Sequence, residues 1–284
     1  ALPILSQAER DHRGDASQPF VPTAQWVSAA RAASASRPKP LMAVFAQIWL
    51  GSYPRLNAQG PKARDVFYRS YIQTYIQRDV QDVLKVSDQT AFNRFLGAVA
   101  ARTGQLLNYA NLARDVDVDA KTAKAWLSVL ESSGLILLLQ PWHTNLTKRL
   151  VKTPKLYFLD TGLAAYLTKW PDAASLEAGS MSGAMLETWV VSEIVKSYWH
   201  NGLQGHFSFY RDTDQQEVDL LIESGDTLYP VEIKKTASPS QHAGRQFSVL
   251  DKLGKRIGPG AVLCLVARDI PLSASVTAVP VGYL

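Results

Sequence analysis

The sequence predicts a mixed α/β chain in which a helical segment is followed by a helix-and-ribbon module and then by a sandwich of helices on strands. Three observations carry this reading. An amphipathic stripe recurs every fourth residue over 63–85. Three segments with helical periodicity are followed by two strand-like runs between residues 89 and 160. From residue 161 the order becomes helix, strand, strand, strand, helix, strand. The 284 residues suffice for two domains of ordinary size, and a hydrophobic share of 46% with 19% charged residues suits a globular protein.

The first forty residues read as irregular, with the Gly, Pro and Ser of loops in RDHRGDASQPFVP and AASASRPKP. A helix is predicted from Leu41, in LMAVFAQIWLGS, to Gly51. GSYPRL then turns the chain. Over 63–85, Phe67, Tyr71 and Tyr75 share one helical face, and packing is the simplest role for them.

QTAFNRFLGAVAARTG predicts a helix ending at Gly104, NYANLARDV a short second one, and DVDAKTAKAWLSVLESSG a third. Asp119 is placed as the N-cap of the third, and Gly134 follows its end. LILLLQPW and KLYFLD then read as strands. Three helices and a two-stranded ribbon are the order of a winged helix-turn-helix. Ala123, Trp126, Leu127 and Leu130 would face its core, leaving Lys121, Thr122 and Lys124 exposed. The intervening loop HTNLTKRLVKTPK carries Lys148, Arg149, Lys152 and Lys155 and no acidic residue. Such a wing suits DNA phosphates, and equally suits a solvated loop or a protein-docking surface. The net charge of +5 tilts only mildly toward a polyanion.

The C-terminal part holds EVDLLIESGDTLYPVEIKK, two alternating runs around a polar turn. A four-residue turn at SGDT pairs Glu223 with Leu228, Leu220 with Val231 and Val218 with Ile233. One face is then apolar, and Asp219 opposite Glu232 and Glu217 opposite Lys234 share the other. Two opposed carboxylates repel, so without compensation one holds its proton. A divalent cation removes the conflict, and hard oxygen ligands suit Mg²⁺ or Mn²⁺. Lys234 would steady an attacking water or a developing phosphoryl charge. The bland alternative is a solvated face of alternating charge, with Lys234 and Lys235 pairing Glu217 and Glu232. Glu187 stands on the preceding helix in the apolar stretch AMLETWVV.

Other chemistries find little support. The single cysteine, Cys264, lies in the apolar run AVLCLVA and reads as core; it leaves no intrachain disulfide. The five histidines are scattered, and no GxxxxGK[ST] phosphate loop is present. No apolar run approaches a membrane span and no signal peptide is visible, so a cytoplasmic location is the default expectation.

The order Glu-helix, strand, Asp-strand, Glu-x-Lys-strand resembles the PD-(D/E)xK restriction-endonuclease-like superfamily, with Glu187, Asp219 and Glu232-Ile233-Lys234 at the motif positions. The resemblance implies that Asp219, Glu232 and the Ile233 main-chain carbonyl ligate the metal. It implies that Lys234 positions the nucleophile, and that Glu187 holds a second metal or the water.

More widely, YIQTYIQRDV, ARTGQLLNYANLARDV, KRLVKTPKLYFLDTGLAAYL, LETWVVSEIVKSYWHNG and LYPVEIKKTASP resemble the C-terminal half of bacterial and archaeal AAA-type ATP-binding proteins, a domain of unknown function. The resemblance runs from about Leu41 to Leu284, and GSYPRL is similar to the GGYP stretch after the ATPase core. It implies residues 1–60 as the tail or lid of an absent ATPase domain, 61–160 as a helical and winged-helix domain, and 161–284 as the nuclease-like sandwich. ATP would belong to the absent P-loop domain. DNA would be the partner, with self-association open. The function expected is DNA binding with a candidate metal-dependent phosphodiester-hydrolysing site. A non-catalytic DNA-binding module or a protein-interaction regulatory module of the ATPase is the alternative.

Overall fold

The computed structural model describes residues 4–14, 17–34, 39–76, 89–142 and 153–284. These fall into two compact units, interleaved along the chain. One takes the described parts of Ala1–Leu5, Phe45–Leu138 and Lys155–Trp189; the other takes those of Ser6–Val44, Leu139–Pro154 and Val190–Leu284.

The longest segment of the first unit begins within the predicted helix Leu41–Leu50, which ends at Gly51 with φ of 88°. Proline at the first position of Pro54–Gln59 starts the next helix, where a missing N–H costs nothing. The predicted long helix is α-helical over Arg64–Tyr71 and opens into a π turn over Ile72–Ile76; its remainder, and the Tyr75 side chain, lie outside the described part. Phe67 and Tyr71 pack on Tyr53 with ring centroids 5.1 and 5.0 Å away, as a packing stripe should.

The next three helices are Gln89–Ala100, Tyr109–Asp115 and Ala120–Ser132. Asn108 and Asp119 cap the second and third, each side chain accepting an N–H three residues on. Ala123, Trp126, Leu127 and Leu130 are buried as predicted. A three-stranded sheet joins them, in the order β1 (Gln105–Leu106), β3 (Lys155–Phe158), β2 (Ile136–Leu139). The two-residue β1 is too short to carry an alternation and has no counterpart in the sequence reading.

Asp160 organises this unit. It is buried, caps the helix Thr161–Leu167 through Leu163 N–H at 2.7 Å, and accepts from Ser52 N–H at 2.5 Å and the Tyr68 hydroxyl at 2.8 Å. The segments meet closely. A Cβ on Gly162 would stand 2.4 Å from Gly51 Cα, so only glycine fits there.

The second unit is built on a seven-stranded sheet: β4 (His206–Arg211), β5 (Glu217–Ser224), β6 (Thr227–Ile233), β8 (Gly260–Cys264), β10 (Val276–Pro280) and β9 (Ile270–Pro271), with β7 (Arg256–Ile257) also on β6. β4, β5 and β6 are antiparallel, whereas β6–β8 and β8–β10 are parallel. One face is covered by a core that includes Val218, Leu221, Leu228, Phe247, Leu250, Val262 and Cys264.

Two expectations are corrected here. Residues 1–40 are not irregular throughout: Gln7–Arg10 and Ala24–Ala33 are helical. Ser6 and Glu9 form a capping box, and Thr23 caps the second helix through Trp26 N–H. The first turn is anchored where Gln7 N–H meets Glu193 at 2.6 Å and the Gln7 amide meets the Leu284 carbonyl at 3.0 Å. The segment SQHAGRQFSVLDKLG, expected as an α-helix, holds a 3₁₀ segment over Arg245–Leu253, between Gly244 and Gly254, both at positive φ. Its apolar residues Phe247, Leu250 and Leu253 are spaced by three, the period of a 3₁₀ helix rather than 3.6.

Candidate functional site

The β5–β6 register is the predicted one near the turn: Glu223 pairs with Leu228, Ile222 with Tyr229 and Leu220 with Val231. The turn is the predicted SGDT, with Ser224 paired to Thr227 across Gly225 and Asp226. Gly225 has φ of 59°, the conformation such a two-residue turn requires.

Further along, the predicted pairing fails for a local reason. Ser208 pairs with Leu221 and Tyr210 with Val218, so three steps on β5 oppose two on β4. This bulge turns Val218 toward Leu221 and Leu228 rather than toward Leu220. Glu217 pairs with Arg211, at 2.8 Å, on the neighbouring strand β4. The Leu220–Val231 pair is the last of the β5–β6 ladder.

Asp219 sits in the bulge, partly buried. Its Oδ2 accepts the Ile233 N–H at 2.9 Å, taking the place of a main-chain carbonyl where the ladder stops. Beyond that point β6 is held by β8: Glu232 registers with Val262, and Lys234 N–H donates to Leu263 O at 3.0 Å. Asp219 is thereby tied to the peptide next to Glu232.

Glu232 is only 4% exposed. Its Oε1 meets Lys234 Nζ at 2.5 Å, while Oε2 is buried without a hydrogen-bond partner. Burial raises its pKa, and the Asp219 charge raises it further. Lys234 opposes the shift, as does Gln246 of the 3₁₀ segment, which lies near without hydrogen-bonding geometry. Lys234 is half-exposed, so its pairing with Glu232 is partly screened.

A carboxyl whose folded pKa lies above its unfolded value favours folding below the unfolded pKa, and that contribution is lost as pH rises through the folded pKa. Glu232→Gln removes this dependence. The variant is expected to melt above the unsubstituted chain near pH 8, each kcal/mol of relief being worth about 2–4 °C. The two should converge as pH falls toward about 4.3, the ordinary glutamate value. Thermal melts across that range check this, and equal melting at pH 8 would refute it.

Asp219, Glu232 and Lys234 are thus brought together on one hairpin. Glu187 belongs to the first unit, where its Oε1 accepts from Lys155 Nζ at 3.1 Å and from the Tyr157 hydroxyl at 2.6 Å. Among the described residues, no group of three or more His, Cys, Asp or Glu side chains is placed to hold a metal. A cation on the hairpin would therefore rest on two carboxylates, a main-chain carbonyl such as that of Ile233, and water. The orphaned Glu232 Oε2, a hard oxygen buried beside a second carboxylate, fits a divalent cation in charge and donor type.

Of the residues predicted to meet DNA, Lys121 and Lys124 are exposed on the helix Ala120–Ser132. The Thr122 hydroxyl donates to its cap, Asp119, at 2.6 Å. Lys148, Arg149 and Lys152 lie outside the described residues. Lys155 corrects the expectation of a wing cation. It lies in β3, is 4% exposed and is paired with Glu187, because the strand begins there and draws it into the unit. Sequence reasoning missed both the Lys155–Glu187–Tyr157 cluster and Gln246. Cys264 is buried, and burial pushes its thiol up to about 11, as a core residue requires.

Residues 43–174 match a domain of unknown function (DUF8612), and residues 182–284 match a second domain of unknown function (DUF4143). The chain is 30% identical over 240 residues to uncharacterized proteins of Mycobacterium bovis and Mycobacterium tuberculosis. The matched region covers 84% of this chain and 53% of each relative, so the chain spans about half the length of the curated relatives it matches. No solved structure is matched. No helix among the described residues is long and apolar enough to cross a membrane.

Proposed function

We propose that the β5–β6 hairpin is a divalent-metal-dependent phosphodiester-hydrolysing site acting on DNA, in a PD-(D/E)xK-like module of an AAA-type ATPase. The observation that carries this reading is Glu232: a buried carboxylate beside Asp219, with one oxygen on Lys234 and the other unsatisfied. Domains of the kind matched at residues 182–284 are typically found with AAA-type ATPases, which supports the placement.

Asp219, Glu232 and the Ile233 carbonyl would hold Mg²⁺ or Mn²⁺. When bound, the cation would lower the pKa of a water and offset charge building on the phosphoryl group. Lys234, half-exposed, would leave Glu232 to orient the attacking water. Asp219 fixes the turn of chain that presents both. The Gln246 side chain favours the ionised form of Glu232, which ligation requires.

The helices and three-stranded sheet of the first unit read as a winged helix that holds the duplex through Lys121, Thr122, Lys124 and the wing cations Lys148, Arg149 and Lys152. Replacing Lys121 and Lys124 by alanine is expected to flatten the log-affinity against log-salt slope by about 2, if each meets one phosphate. An unchanged slope in fluorescence-anisotropy titrations would remove this helix from the interface.

A second reading has its own support. Lys234 is bound to Glu232, Glu187 is engaged with Lys155 and Tyr157, and of the hairpin's carboxylates only Asp219 and Glu232 come together among the described residues. A non-catalytic DNA-holding module would look the same. Cleavage of labelled linear, branched and single-stranded DNA with Mn²⁺ separates the two: metal-dependent cleavage establishes the first, and salt-sensitive binding without cleavage the second.

A further inference from the structure

We propose that the first unit carries a separate binding site for a phosphate-bearing small molecule of nucleotide size, in the cavity walled by Arg64 and Trp170. The cavity measures about 600 Å³, within the range of small-molecule sites, and is lined by residues of the first unit alone. The inference does not rest on the hairpin or on any metal.

Arg64 is the reason to expect an anion there. It is 2% exposed. Its guanidinium lies 4.1 Å above the Trp49 ring, and Nε donates to the Trp49 carbonyl at 2.9 Å. Nη1 reaches Asp65 at 3.2 Å, but that carboxylate is 73% exposed and strongly screened by water. The buried Asp160 adds negative charge nearby, but its oxygens are taken by Ser52 N–H, Leu163 N–H and the Tyr68 hydroxyl. Nη2 is buried with no acceptor. A buried cation normally has its counter-charge and all its donors satisfied. The Trp170 indole N–H, on the same cavity, is also buried without an acceptor.

The cations nearer solvent have the same sign. Arg69 and Lys169 line the cavity and are exposed, and among the described residues neither is in an ion pair. Among the described residues that line the cavity, three cations thus stand against the one carboxylate of Asp65. That imbalance suits a dianion better than a single carboxylate. Arg64 contributes mainly its field from the cavity wall, while Arg69 and Lys169 are placed for direct charge-assisted contacts. The Tyr166 and Trp170 rings add apolar wall for the organic part of the ligand.

The test is a calorimetric titration of the full chain with 5′-AMP at low salt, beside adenosine, and beside the variant Arg69→Gln/Lys169→Gln. Both positions are exposed, so the variant should melt with the unsubstituted chain. AMP is expected to bind, with adenosine weaker by at least about tenfold and the variant weaker for AMP by a similar factor, about 1.4 kcal/mol. Affinity should also fall as salt shortens the screening length from about 14 Å to about 7 Å. The proposal is overturned if AMP fails to bind up to roughly 10 mM, where affinity is only about 3 kcal/mol. It is likewise overturned if adenosine binds as well as AMP, or if the variant binds AMP undiminished.

Discussion

Asp219→Asn and Lys234→Ala are each expected to reduce Mn²⁺-dependent DNA cleavage by at least about a hundredfold, the usual loss when a preorganised charge or proton-transfer group is removed. Asparagine keeps an oxygen for the Ile233 N–H that Asp219 now accepts, so the chain turn survives and only the charge is lost. Lys234→Ala removes the ion pair with Glu232 and favours its protonated form, which opposes metal ligation as well as water orientation. Raising pH should therefore restore part of the metal binding in Lys234→Ala, and none in Asp219→Asn. Cleavage that persists in both variants would move the chemistry elsewhere.

The largest stability effect is expected at Asp160, far from that chemistry in the sequence. Asp160→Ala removes an acceptor from Ser52 N–H, Leu163 N–H and the Tyr68 hydroxyl. The hydroxyl keeps the Leu50 carbonyl at 3.0 Å, so the cost falls on the two main-chain N–H groups. Each buried donor left unsatisfied costs about 1–3 kcal/mol. Some water entry and relaxation will soften the sum, so a loss of about 3–5 kcal/mol is expected, comparable to breaking a buried charge network. Denaturant unfolding followed by tryptophan fluorescence measures it. A loss below about 1 kcal/mol, the worth of an ordinary helix cap, would show that Asp160 is no more than a cap.

Where the sequence was legible, a strong local signal agreed with the tertiary context. The Asp119 cap, the buried face of Ala123, Trp126, Leu127 and Leu130, and the hairpin pairs near Gly225 all follow from periodicity and turn chemistry. The hairpin failed at Val218 because alternation cannot reveal a bulge: an extra residue on β5 flips every side chain beyond it. Lys155 was misplaced because charge in a presumed loop was taken as exposure, whereas the strand starts there and Glu187 compensates it. Thirty residues separate Glu187 from Tyr157, and nothing local links them. The helices within 1–40 had a readable sign, the Ser6–Glu9 capping box, but loop composition around it masked the signal. The 3₁₀ segment was legible too, in the three-residue spacing of Phe247, Leu250 and Leu253.

The hairpin account stands or falls on whether a cation takes the unsatisfied oxygen of Glu232. Electron paramagnetic resonance of free Mn²⁺, titrated into the chain near pH 8 beside an Asp219→Asn/Glu232→Gln variant, measures that directly. The account predicts one bound Mn²⁺ per chain, weakened as pH falls toward the Glu232 pKa and lost in the variant. No bound Mn²⁺ at millimolar metal, or equal binding by the variant, would contradict it, and the buried carboxylate would then be a structural feature of a module that holds DNA without cutting it.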